Sequence, residues 1–235
     1  MARGTWEALR PQWVEDSVLR ALAPGIQALV RTGVNPNVLT TIGFLVGVGA
    51  GIAFYGASVR LAGFLVLLGG VLDIFDGRVA RGTGQASIFG SFYDSTLDRI
   101  SEIIVFVGIT ALFIGGEGTP TNAAMIYITA AALGGSLMVS YTRAKAEALG
   151  LDCKVGLMQR AERIFLIGVA ALVFGWMWEG LVLKLVLIAV ALLSNFTAFQ
   201  RIAWVYRNAR MLPPPPTRPE HAAPLSTPVT GKREL

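Results

Sequence analysis

The sequence predicts an all-α integral membrane protein, and three observations carry that prediction. Of the 235 residues, 54% are hydrophobic and only 15% charged, with a mean hydropathy of +0.60, a composition foreign to a soluble domain of this length. The apolar residues gather into six runs, approximately 38–58, 60–80, 94–114, 121–142, 161–178 and 181–204, each near the roughly 20 residues that cross a hydrocarbon core as a helix. Lys and Arg then fall almost wholly on one side of the six-span layout, the asymmetry that orients membrane proteins. One membrane domain over residues 34–211 is expected, without internal repeats.

Before the first run, within residues 1–33, Val14, Val18, Leu22, Ile26 and Leu29 recur at helical spacing behind Trp13, with Arg20 and Arg31 on other faces. This is an amphipathic helix, lying in the membrane interface or packed on the domain, and the two placements are compatible. No cleavable signal peptide is expected, because the first long apolar run begins after residue 37. Asn35, Pro36 and Asn37 form a turn that opens the first span, with Thr40 and Thr41 in its first turn. Free N–H groups at that helix start can assist phosphate binding, and a plain N-cap explains the same residues equally well. Residues 212–235 open with Pro213 to Pro216 and are expected to be a disordered tail.

Six spans leave both termini on one side. Arg3, Arg10, Arg20, Arg31, Arg78, Arg81, Arg143, Lys145, Lys154, Arg160, Arg163, Arg201, Arg207 and Arg210 share it, whereas Arg60 and Lys184 flank the other. The positive-inside rule makes the cation-rich side cytoplasmic. The pI of 9.7 therefore reflects topology and anionic headgroups, and no nucleic-acid partner is expected. Cys153, the only cysteine, is expected in an exposed cytoplasmic loop, and the only histidine, His221, lies in the tail.

Against this apolar background stand four aspartates, Asp73, Asp76, Asp94 and Asp98. A charge at the centre of a membrane helix costs roughly 2.5–3.5 kcal/mol, while each Leu or Ile returns only about 0.3–0.6, so something must neutralise them. Asp73, Asp76, Gly77 and Ala80 fall at i, i+3, i+4 and i+7 of one helix, and Gly90, Asp94 and Asp98 at i, i+4 and i+8 of the next. Two acidic faces can meet. Their hard oxygen donors suit Mg²⁺ or Mn²⁺, with no nearby His or Cys to favour zinc. Two divalent ions would balance four carboxylates and leave coordination positions for phosphate oxygens, clamping the attacking and leaving oxygens of an in-line displacement. A cation transporter also uses intramembrane carboxylates, but it would place them near midplane, whereas these cluster at one rim beside a phosphate-suited Arg81.

The pattern D-x-x-D-G-x-x-A-R, eight residues, then G-x-x-x-D-x-x-x-D runs without a gap from Asp73 to Asp98. It resembles the CDP-alcohol phosphotransferase family, and the surrounding hydrophobic segments extend the resemblance from about residue 34 to 207. The resemblance implies six membrane helices, a cytoplasmic divalent-metal site, a homodimer, and transfer of a phosphatidyl-type group from a CDP-linked lipid such as CDP-diacylglycerol to an alcohol, releasing CMP. By position it makes Asp73, Asp76 and Asp94 metal ligands, and Asp98 the residue that both approaches metal and accepts the acceptor hydroxyl's proton. Gly77 and Ala80 lack bulk where a nucleotide approaches the backbone, and Arg81 can pair with its phosphates. Small residues at this spacing also suit close helix packing. Asn35, Pro36 and Thr40 match segments that lie beside the nucleotide in the family.

A second cluster, SYTRAKAEALGLDCKVGLMQRAER, brings Arg143, Lys145, Lys154, Arg160 and Arg163 to one rim. Their density resembles the basic pocket by which family members with a phosphorylated acceptor hold its phosphate. With the DSTLDR segment, it is most similar to the phosphatidylinositol-phosphate and archaetidylinositol-phosphate synthase branch, which implies an inositol phosphate acceptor. Glycerol 3-phosphate, the acceptor of phosphatidylglycerophosphate synthases, is the alternative, and topology-setting charge explains the cluster without any acceptor contact.

Overall fold

The computed structural model describes the backbone of residues 12–115 and 120–209, and the side chains of 19–115 and 121–209. The tail with His221, the side chains of Trp13, Val14 and Val18, and Arg3, Arg10 and Arg210 lie outside the described residues. Among the described residues seven helices run in order: α1 Gln12–Thr32, α2 Pro36–Tyr55, α3 Val59–Gly82, α4 Ile88–Gly115, α5 Pro120–Ala148, α6 Arg160–Val169 and α7 Met177–Ala209. A five-residue π turn, Ala170–Phe174, continues α6. No strand occurs among the described residues.

Five of the six apolar runs each contain one helix, and the fifth, 161–178, holds α6 and its π turn and breaks at Gly175; the helices on the charged side outrun the runs. α4 begins at Ile88, six residues before its apolar run, and α5 continues to Ala148 through the sequence TRAKAEA. Hydropathy marks only the apolar part of a helix, whereas Ala, Lys, Glu and Arg continue it by propensity. Local chemistry sets the other boundaries. Asn35 accepts the Asn37 N–H and Pro36 takes the first helical position of α2. Ser87 Oγ accepts the Gly90 N–H at 2.9 Å, capping α4. Trp178, Glu179 and Gly180 adopt left-handed backbone near the start of α7, so its regular body begins after them.

α2 packs on both α3 and α4, α5 on α7, and α3 on α6 and its π turn. Phe54, Ile109, Phe113, Leu183, Leu187 and Val190 are buried where these groups meet. Lipid is as apolar as a core, so helix association in a bilayer relies on close contact and small residues. Gly63 shows the closeness required: a Cβ there would lie 2.3 Å from the Leu172 nitrogen and 2.7 Å from the Gly168 oxygen. α1 lies along α3, with Gly25 against Phe75 and Val30 against Gly82. Leu22, Ile26 and Leu29 are half-buried while Arg20 and Arg31 are exposed.

Among the described residues, three helical segments are long and apolar enough to cross a membrane, Pro36–Tyr55, Thr121–Ala148 and Met177–Ala209. α3 and α4 have the length but carry Asp73, Asp76, Asp94, Asp98, Arg99 and Glu102. The side chains that lower their hydropathy are the ones that build the site. At the far end of the bundle Arg60 packs on Gly175, and Lys184 lies over the Trp176 ring at 5.9 Å. One expectation is corrected here: Cys153 does lie between α5 and α6, but it is fully buried among Ala146, Leu151, Val155, Trp204 and Val205.

Candidate active site

The two acidic faces meet where α3 ends and α4 begins. Asp73, Asp76 and Asp94 each present a carboxylate oxygen, and the three atoms lie within 4.8 Å of one another. At an effective dielectric of about 20, unit charges this close repel by on the order of 3 kcal/mol per pair. Thr40 of α2 donates to Asp76 Oδ2 at 2.8 Å, and Asp76 is only 5% exposed. Asp94 Oδ1 is buried with no hydrogen-bond partner. Asp98 is ion-paired with Arg160 Nη1, which also reaches Asp73 Oδ2 at 2.9 Å. All of these line one cavity, together with Gly43, Gly47, Gly69 and Gly70.

One guanidinium cannot offset this many carboxylates, and an orphaned buried oxygen points to a cation that the protein itself does not supply. The cluster offers carboxylate oxygens and no His or Cys lines the cavity, so the residues present fit a hard divalent ion such as Mg²⁺ or Mn²⁺.

The other expected residues divide. Asn35 and Pro36 form the helix start described above, and a Cβ on Gly90 would lie 3.3 Å from Asn37 Oδ1, so the starts of α2 and α4 adjoin. Arg81 folds back over Gly77, where a Cβ would lie 3.6 Å from both terminal guanidinium nitrogens; Ala80 is half-buried. Of the five cations, Arg160 and Arg163 line the cavity. Arg143 pairs with Glu147 at 2.8 Å, Lys154 with Asp152 at 2.6 Å, and Lys145 is exposed. Sequence reasoning missed Glu102, which accepts from Arg163 Nε at 3.0 Å and Arg99 Nη1 at 3.1 Å. Its signal was available: Glu102 extends the Gly90, Asp94, Asp98 series by one further turn.

Residues 33–204 match the CDP-alcohol phosphatidyltransferase family. The chain belongs to that family. It is thus a transferase, and several relatives have been named. An archaetidylinositol phosphate synthase of Methanothermobacter thermautotrophicus is 34% identical over 84% of this chain and 98% of its own. Another, from Pyrococcus horikoshii, is 38% identical over 75% of this chain and 86% of its own. A phosphatidylinositol phosphate synthase of Streptomyces avermitilis is 34% identical over 86% and 85%. Crystal structures of the Mycobacterium tuberculosis phosphatidylinositol phosphate synthase, 28% identical, superpose on this transferase. The form with CDP-DAG bound gives a TM-score of 0.69 over 80% of this chain and 94% of that one. The form in complex with manganese and citrate gives 0.70 over 78% and 88%.

Proposed function

We propose that this family member transfers a phosphatidyl-type group from CDP-diacylglycerol, or a related CDP-lipid, to a hydroxyl of inositol phosphate, releasing CMP. The observation that carries this is the juxtaposition of a tight carboxylate cluster, Asp73, Asp76 and Asp94, with the cation Arg160 across Asp98. An acidic site that holds Mg²⁺ or Mn²⁺ suits a pyrophosphate donor, and a cation adjoining it suits a phosphorylated acceptor. The naming of the relatives supports the same acceptor.

Asp73, Asp76 and Asp94 hold the metal, and Thr40 keeps the Asp76 carboxylate aimed inward. When bound, the metal neutralises the donor's pyrophosphate and offsets charge developing on phosphorus and on the leaving oxygen. Asp98 orients the acceptor hydroxyl and takes its proton as the oxygen bonds to the β-phosphorus and the bond to CMP breaks. Gly77 and Ala80 leave room for the nucleotide, with Arg81, Asn35 and Pro36 at its phosphate side. Arg160 holds the acceptor phosphate, backed by Arg163, with Arg143, Lys145 and Lys154 at the rim.

In this reading α2 to α7 all cross the bilayer, within a membrane domain of residues 34–211. The carboxylate end is cytoplasmic, α1 lies in the interface, residues 212–235 form a cytoplasmic tail, and two copies associate. Lys and Arg asymmetry between the two ends supports that orientation. The test is CMP release from CDP-diacylglycerol by purified protein offered inositol phosphate, glycerol 3-phosphate or free inositol. Turnover with inositol phosphate alone is expected. Preference for glycerol 3-phosphate would move the chain to the phosphatidylglycerophosphate synthase reaction, and preference for free inositol would remove the phosphate-binding role of Arg160.

A further inference from the structure

The segment 149–159 that delivers Arg160 to the cavity has no regular secondary structure, yet Leu151, Cys153, Gly156 and Met158 within it are buried. Such a loop needs partners for its peptide groups. Met158, two residues before Arg160, finds them on opposite sides. Its N–H donates to Thr197 Oγ1 of α7 at 3.1 Å, and its carbonyl accepts from Arg163 Nη1 at 3.4 Å. Arg163 is itself only 1% exposed, with Nε 3.0 Å and Nη2 2.9 Å from Glu102 Oε1 on α4. The loop lies flush on Thr197: Gly156 has φ +132°, and a Cβ there would sit 2.2 Å from Thr197 Cγ2. One turn along α7, Arg201 Nε donates to the Val155 carbonyl at 2.8 Å.

We infer that Thr197 and Glu102 are positioning residues that set Arg160 by gripping the Met158 peptide from α7 and, through Arg163, from α4. Neither needs to touch substrate. Arg163 then serves as a strut between Glu102 and the Met158 carbonyl, while Arg160 remains the cation that reaches Asp73 and Asp98. The inference rests on the proposed role of Arg160 in holding the acceptor phosphate, so two independent readouts are needed.

The first is the split between acceptor and donor KM. Thr197→Val keeps shape but leaves the Met158 N–H without its acceptor, and is expected to raise the KM for inositol phosphate about tenfold, with the donor KM and Mn²⁺ affinity within about twofold of wild type. Thr197→Ser keeps the hydroxyl and is expected to restore the acceptor KM. Glu102→Gln is expected to give the same split as Thr197→Val. The second readout is Cys153, buried in the same loop. Its modification by a small maleimide is expected to speed up about tenfold in Thr197→Val and to stay at the wild-type rate in Thr197→Ser.

An equal rise in both KM values, or no rescue by serine, overturns the inference. If Arg160→Gln leaves the acceptor KM unchanged, the role of Arg160 falls, and the grip is judged on Cys153 alone. Wild-type labelling in Thr197→Val then overturns it.

Discussion

The carboxylate wall of the cavity and its cationic wall rest on different kinds of backbone. Asp73, Asp76, Asp94 and Asp98 project from two long helices that both pack on α2, so their positions follow from spacing along a regular turn. Arg160 stands at the start of α6, delivered by an eleven-residue irregular connection whose course depends on side chains of α4 and α7. The first wall is geometry inherited from helix packing. The second is a loop conformation, held only as well as the contacts that grip it.

Removing the first wall should have the largest effect. Asp73→Asn, Asp76→Asn and Asp94→Asn each keep shape while deleting the charge a cation requires. Loss of the metal's stabilisation of the transition state, worth several kcal/mol, should cut CMP release on the order of 10³-fold or more, and EDTA should do the same to wild type. Near-full turnover in EDTA, or in any one of the three variants, would remove the metal assignment and with it the distinction between the walls.

Asp98 tests where the first wall ends. Loss of a proton acceptor lowers rate by roughly 10²- to 10⁴-fold, so Asp98→Asn should lose turnover while Mn²⁺ binding by titration calorimetry stays near wild type. The cluster of three oxygens does not need Asp98. Metal affinity lost in parallel with turnover would make it a ligand instead of a base.

The same contrast explains what could be read without coordinates. The apolar runs fold into helices, the fifth one interrupted at Gly175, and the acidic faces meet, because i, i+4 periodicity survives whatever surrounds a helix. Glu102 lies on that periodicity too, but one turn beyond the pattern that runs from Asp73 to Asp98. Charge density in the α5–α6 region, by contrast, named five cations equally. Arg143 is satisfied by Glu147 one turn away, and Lys154 by Asp152 two residues away. Local pairs of this kind are invisible to a count of positive residues, and so was the burial of Cys153, which depends on Trp204 and Val205 some fifty residues downstream.

The cationic wall gives a graded outcome. Arg160→Gln should weaken use of inositol phosphate by roughly 10- to 150-fold, the worth of one charge-assisted contact, with little change in donor KM. Arg143 is exposed and paired to Glu147, so Arg143→Ala should cost about threefold or less. The comparison is sharpened if kcat/KM falls in that order. Equal losses would mean that the rim cations close on the acceptor together, and that α5 belongs to the wall as fully as α6.

The smallest effect concerns Cys153, and it separates the position of the loop from the conformation of the loop. Burial pushes the thiol's pKa up, outweighing the opposite pull of the Arg201 guanidinium. A raised pKa leaves less thiolate at neutral pH, and full burial denies access to what remains. Native protein should therefore react with a membrane-impermeant maleimide far more slowly than an exposed thiol does, and fully once denatured. Silence at Cys153 would consequently say nothing about sidedness. The probe has to move to an exposed neighbour: Ala148→Cys in a Cys153→Ala background, at the end of α5, should label from the cytoplasmic side of inside-out vesicles and stay unlabelled in intact cells. Labelling of intact cells would invert the orientation of the bundle and carry both walls of the cavity to the outer face, whereas rapid labelling of native Cys153 would show that the loop delivering Arg160 is not gripped at all.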